Sequence, residues 1–165
     1  MRPSRVEVDL EAIRANVATI ATAVAPASVC AVVKADGYGH GDVPVAEMAL
    51  EGGAEWLAVA LVEEGIRLRE AGMSVPILLL SEPTPEEAPL VVEWNLVPTV
   101  YRHSFLEVLG GCIGSEAPLP VHLKVDTGMH RVGAGPADGL ELAMAIEENP
   151  AFELEGVWTH FAVAE

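Results

Sequence analysis

Apolar and polar residues follow two alternating rhythms along the chain, one of period two and one of period 3.6. Residues 6–10 (VEVDL) alternate and predict a short strand. Residues 10–24 then place Ile13, Val17, Ile20 and Val24 on one helical stripe, with Asp9 positioned to cap the first turn. The run SVCAVVKA (28–35) is almost continuously apolar and of strand length. A helix is predicted over 43–52, with Pro44 near its start and Val45, Met48 and Ala49 on one face. The cycle then repeats: strand WLAVAL at 56–61, helix 62–71 with a Glu63/Arg67 pair and Gly72 as its stop, strand PILLLS at 76–81. Thr84-Pro85-Glu86-Glu87 reads as a capping box that opens a helix over 85–93. Strand LVPTVY (96–101), helix 103–110, strand PVHLKVDT (120–127), helix 136–148 and strand FELEGVWTHF (152–161) complete the series. In the helix at 136–148, Leu140, Ala143, Met144 and Ile146 fall near one face.

The strands beginning at 28, 56, 76, 96, 120 and 152 are apolar on both sides. That is the signature of a parallel sheet covered by helices, hence an α/β fold. Two architectures fit six such repeats, an open doubly wound sheet or a (β/α)8 barrel, and periodicity does not choose between them. A chain of 165 residues without a linker suits one domain over 1–165.

Composition narrows the function classes. Hydrophobic residues make up 51% of the chain and its mean hydropathy is +0.35, enough apolar surface to offset ordering entropy. The longest apolar run, Trp56 to Val62, is far short of a membrane span, and MRPSRVEVDL lacks the apolar block of a secretory signal. A net charge of −16 with no Lys or Arg cluster makes nucleic acid and anionic lipid poor partners. Cys30 and Cys112 are far apart, sit among apolar residues and read as small core hydrophobes, consistent with a reducing cytoplasm.

One feature of the composition points to chemistry. The chain has seven Arg but only two Lys, Lys34 and Lys124, and both end strongly apolar runs, CAVVK and VHLK. An amine there is either a snorkelling strand-end lysine or a group that chemistry or pairing requires. Both parallel architectures bind ligands at the carboxyl ends of their strands, where other polar residues also gather. Lys34 is followed by Asp36-Gly37-Tyr38-Gly39-His40-Gly41, Lys124 by Asp126 and Arg131, and the last strand ends in Thr159 and His160.

A lysine nucleophile needs a neutral amine, which desolvation favours. Three alternate glycines after Lys34 allow a tight turn and close approach to a ligand, or simply a βα turn; their spacing is neither a dinucleotide fingerprint nor a P-loop. Arg131 suits a carboxylate at a pocket rim or a surface ion pair. His160 suits an aromatic ligand's face or a structural role. The five histidines show no metal-binding spacing, and there is no GxSxG.

These residues carry a family resemblance. VVKADGYGHG (32–41) resembles the cofactor-lysine motif of alanine racemases, LKVDTGMHRVG (123–133) their second core motif and THFA (159–162) their third. The opening VEVDLEAIRANV and the order of the motifs match as well. The resemblance implies a fold-type III pyridoxal-phosphate barrel followed by a mainly β domain, acting as a homodimer that interconverts L- and D-alanine for peptidoglycan. It favours the barrel. It implies Lys34 as the covalent attachment point of pyridoxal 5′-phosphate (PLP) and as the base on the D-alanine side. It implies Tyr38 near the cofactor phosphate, Arg131 near the substrate carboxylate and His160 near the pyridine ring. Lys124 matches a lysine that some members carbamylate to position the arginine.

A complete barrel takes about 250 residues, and this chain ends after six of eight predicted strands. The family's second base is a tyrosine of the partner's C-terminal domain; the two tyrosines here, Tyr38 and Tyr101, do not match it. The expectation is an incomplete barrel with exposed edges that self-associates or is marginally folded, with weak or absent turnover alone. The alternatives are a non-catalytic PLP-binding barrel and a truncated product without function.

Overall fold

A computed structural model describes residues 4–114 and 117–163; residues 1–3, 115, 116, 164 and 165 of the expected domain lie outside it. Six parallel strands alternate with helices: β1 (Val29–Val32), β2 (Ala54–Val59), β3 (Ile77–Leu79), β4 (Thr99–Val100), β5 (Leu119–Lys124) and β6 (Phe152–Trp158). The helices are α1 (Leu10–Val24), α2 (Asp42–Glu51), α3 (Val62–Glu70), α4 (Ala88–Glu93), α5 (His103–Gly110) and α6 (Pro136–Glu148). Each start has a local cause. The Asp9 carboxylate accepts the Ala12 N–H (3.0 Å) and opens α1. The Glu87 carboxylate accepts the Thr84 N–H (2.8 Å), and a 3₁₀ turn at Pro85–Glu87 leads into α4.

Strand order settles the choice that periodicity left open. β1-β2-β3 and β4-β5-β6 form two parallel sheets, and a bridge from Leu78 to Val97 joins them. The Val97 N–H donates to Ile77 O (2.9 Å) and the Leu79 N–H to Val97 O (2.9 Å). The six strands thus neighbour one another in chain order, without the reversal of a doubly wound sheet. This is the winding of a barrel wall, and barrel closure is not seen: β1 and β6 form its outer edges.

Alternate residues face opposite sides. Leu57, Ile77, Val100, Leu123 and Ile146 belong to the core between strands and helices and are essentially inaccessible. Each such side chain contributes about 1.5–3 kcal/mol by leaving water. Ala58, Leu78 and Val97 form a separate cluster on the concave face with Trp56 and Leu80. His122 joins it, its ring 5.3 Å from that of Trp56, and burial holds its pKa below the usual value.

Several expectations need correction. Residues 6–9 form no strand, because no neighbouring chain pairs with them in the described residues; Leu10 already begins α1. On α1 the packed side is rotated from the expected stripe: Ile20 and Val24 are exposed, and Arg14 and Val17 back onto Gly52. On α6, Gly139, Leu142 and Ile146 are buried while Leu140 and Met144 face solvent. Arg67 pairs with Asp42 (3.0 Å) instead of Glu63, because α3 packs its partly buried Asp42 partner beside it. Cys30 is exposed and Cys112 half-buried, because β1 is an edge strand and Cys112 follows the end of α5.

Candidate active site

A cavity of about 360 Å³ opens at the carboxyl ends of the strands, within the size range of small-molecule sites. Lys34, Tyr38, Lys124, Arg131 and His160, the five residues singled out in the sequence, all line it. Ala60, Leu80, Ser81 and Trp158 complete much of the wall. A hollow of about 550 Å³ at the opposite end, beside Asn95, Ile113 and Pro120, has no ionisable side chain among its described lining residues.

Lys34 lies two residues beyond β1 and is half-buried. Among the described residues its ammonium has no ion-pair partner, and it lies 6.0 Å from the Tyr38 ring centroid. The backbone after it is unusual. Ala35, Asp36, Gly37 and Tyr38 all have φ between 52° and 58°, a full turn of left-handed helix. L-residues resist this conformation by roughly 1–2 kcal/mol each, so the surroundings must hold it. The Gly37 N–H donates to Val33 O (3.0 Å) and the Gly41 N–H to Asp36 O (2.9 Å). The Asp36 carboxylate accepts the Asp42 N–H (3.1 Å), and the Glu64 carboxylate accepts the Ala35 N–H (2.6 Å).

Lys124 ends β5 and is only 3% exposed. Its Nζ donates to Leu80 O (3.2 Å) and sits 4.0 Å from the Trp158 ring centroid. The Trp158 indole N–H in turn donates to the buried Thr99 hydroxyl (3.3 Å). Burial first, then the charges of Arg131 and Lys34, lower the Lys124 pKa from its usual value.

Arg131 and His160 are exposed side chains on the cavity rim. The Arg131 loop is built on Asp126, whose Oδ1 accepts the N–H groups of Gly128 and His130, each at 3.0 Å. Thr127 and Thr159 share a hydroxyl hydrogen bond (2.7 Å) that ties the ends of β5 and β6 together. The two backbone donors, Gly128 foremost, hold the Asp126 carboxyl below its ordinary value of 3.8. A carboxylate with a depressed folded-state pKa supports the loop fully above its ordinary range and loses that support as pH falls through the lowered value. Acid titration is therefore expected to release the Gly128 and His130 amides below pH 3.8, read as shifts of their amide NMR signals. Shifts complete well above that pH would contradict this anchoring.

The arrangement is electrostatically one-sided. In a chain of net charge −16, both lysines and Arg131 meet at one cavity. None of the three has a carboxylate ion pair among the described residues. Glu64, Trp158 and Ser81 were not found from the sequence. Glu64 and Trp158 are brought to the site only by pairing across distant segments, and Ser81 had no motif to mark it.

Residues 8–165 match the family model described as alanine racemase, N-terminal domain. The chain belongs to this family. It is 46% identical to the alanine racemase of Anoxybacillus flavithermus over 99% of its own length and 44% of that protein. With the alanine racemase of Symbiobacterium thermophilum the identity is 45%, over 100% and 44% of the respective lengths. Among solved structures, alanine racemase from E. faecalis superposes with a TM-score of 0.90 at 41% identity, covering 97% of this chain and 44% of that one. The Bacillus anthracis alanine racemase with bound L-Ala-P superposes at 0.86 with 36% identity, covering 98% and 43%. The chain thus spans less than half the length of the alanine racemases it matches.

Alanine racemases are isomerases that use PLP. The cavity has the chemistry for such a group. A half-buried primary amine suits an aldehyde, and cations without an ion-pair partner among the described residues suit an anionic ligand. Among the described residues no cluster of three or more His, Cys, Asp or Glu could hold a metal ion, and no helix is long and apolar enough to cross a membrane.

Proposed function

We propose that this chain is the PLP-holding barrel portion of an enzyme that interconverts L- and D-alanine in the cytoplasm, with residues 1–165 acting as one domain. The observation that carries this reading is the convergence of Lys34, Lys124 and Arg131 on one cavity without carboxylate ion pairs among the described residues. Lys34 would hold the cofactor covalently, with Tyr38 near its phosphate and His160 beside its ring. When bound, PLP supplies an electron sink that acidifies the Cα–H of an attached amino acid. Lys34 would also serve as a base, its Nζ taking or returning a proton on one face of the substrate. Arg131, exposed on its Asp126-anchored loop, pairs with the substrate carboxylate and fixes which face meets Lys34. Val32, Leu80 and Trp158 give the cavity part of its apolar wall.

Lys124 serves Arg131 in this reading. Burial and two neighbouring cations favour its neutral amine, the form that adds CO₂. A carbamate there would release a proton and place a negative charge within the influence of Arg131.

The test is α-proton exchange in D₂O. With PLP present, the chain is expected to replace the α-proton of D-alanine by deuterium faster than that of L-alanine, read by proton NMR. Exchange of neither enantiomer overturns the proposal. If Lys34 still carries the cofactor's mass after borohydride reduction in that case, a cofactor-carrying barrel without catalysis becomes the better reading.

A further inference from the structure

Glu64 is a carboxylate with more to do than its place in the helix requires. It lies in the first turn of α3 and is only 6% exposed. One oxygen, Oε2, accepts the N–H groups of Ala60 (2.8 Å) and Leu61 (3.0 Å), which completes the helix start. The other, Oε1, crosses to a segment 29 residues away and accepts the Ala35 N–H at 2.6 Å. Glu87 stands in the corresponding place before α4, and its bond to the Thr84 N–H suffices there. The bond to Ala35 is therefore no part of helix capping.

Ala35 is the first residue of the left-handed turn and directly follows Lys34. A non-glycine residue with φ of 52° stays there only under outside restraint, and a charge-assisted hydrogen bond from a buried carboxylate is such a restraint. We propose that Glu64 is a positioning residue for Lys34: it clamps the left-handed turn through the Ala35 N–H and so aims the amine into the cavity. The proposal rests on the reading of Lys34 as the cofactor-holding amine, and it deepens that reading by naming what orients the amine.

Glu64→Gln is the informative variant. An amide has one acceptor oxygen, and the helix start, with two donors, claims it; the NH₂ group then meets the Ala35 N–H, donor against donor. With PLP held below saturation and trapped by borohydride, Glu64→Gln is expected to reduce labelling of Lys34 about ten- to hundredfold, read from the mass of the Lys34 peptide. Adding Ala35→Gly is expected to restore most of it, because glycine adopts the left-handed conformation without help. Glu87→Gln is expected to label like the parent chain. Undiminished labelling in Glu64→Gln overturns the clamp, and so does a loss that Ala35→Gly leaves unrepaired, which marks Glu64 as a helix cap alone.

Hydrogen exchange separates this proposal from the cofactor reading. If the parent chain takes no label at Lys34, the cofactor reading fails and exchange at the Ala35 amide decides the clamp. Protection in the parent, falling about ten- to hundredfold in Glu64→Gln, upholds it. An unprotected Ala35 amide in the parent chain overturns it, even if the variant does not fold.

Discussion

Lys34→Ala is expected to erase covalent capture of PLP while leaving thermal stability within about 0.5 kcal/mol of the parent, as for a side chain without structural partners. The second half follows from what Lys34 lacks. Among the described residues it forms no ion pair, and its amine stands only in loose contact with the Tyr38 ring, 6.0 Å away. The first half requires that Lys124, the other amine of the cavity, not take over. Two effects oppose one another there. A lowered pKa favours the neutral form of Lys124 and makes it chemically apt. Its Nζ is nonetheless committed to Leu80 O and covered by Trp158, and the residue is 3% exposed. Reaction with an aldehyde needs access as well as a lone pair, so burial wins. Borohydride trapping followed by peptide mass mapping checks this: label transferred to Lys124 in Lys34→Ala would mean that the site selects by basicity and not by placement.

Much of the molecule was legible because its signals are local. Asp9 at the start of α1, the Thr84–Glu87 box and Gly72 after α3 each act within one turn of chain, and each appears where the sequence put it. Two-sided apolar runs read as covered parallel strands for the same reason. Lys34, Tyr38, Lys124, Arg131 and His160 were singled out among the strand-end polar residues by their family motifs, and they line one cavity because a parallel fold gathers the carboxyl ends of its strands.

What escaped depends on long-range pairing. Strand order is a property of the ladder between Leu78 and Val97, which no window of sequence contains. The faces of α1 and α6 were misjudged because apolar residues such as Ile20 and Leu140 can sit in water, so periodicity alone does not fix which side packs. The glycines at 37, 39 and 41 pointed to a tight turn, but not to the left-handed conformation of Ala35, Asp36 and Tyr38, whose side chains give no local hint of it. Its explanation includes Glu64, a residue that sequence alone presents as an ordinary helix-start carboxylate.

The loop bearing Arg131 depends on a glycine in a comparable way, and Gly133→Ala is expected to cost about 2–4 kcal/mol from steric and conformational strain together. Gly133 has φ of 138°, and a Cβ built on it would lie 2.7 Å from Asp126 N and 3.0 Å from Val125 C. Those atoms are backbone, held by the ladder in which the Ala134 N–H donates to Lys124 O (2.9 Å) and the Asp126 N–H to Ala134 O (2.8 Å). No flexible side chain can yield, so the chain must open where the loop rejoins β5. Gly128 supplies the comparison: its φ is 131°, but a Cβ there meets nothing within 4 Å. Gly128→Ala should therefore carry only the conformational part, about 1–3 kcal/mol. Thermal melts of the two variants isolate the clash, at roughly 2–4 °C per kcal/mol for a chain of this size. If the two melt together, the approach of Gly133 to Asp126 is not what shapes the loop; if Gly133→Ala alone falls well below, the ladder that carries Arg131 to the cavity needs a residue without a side chain at that point.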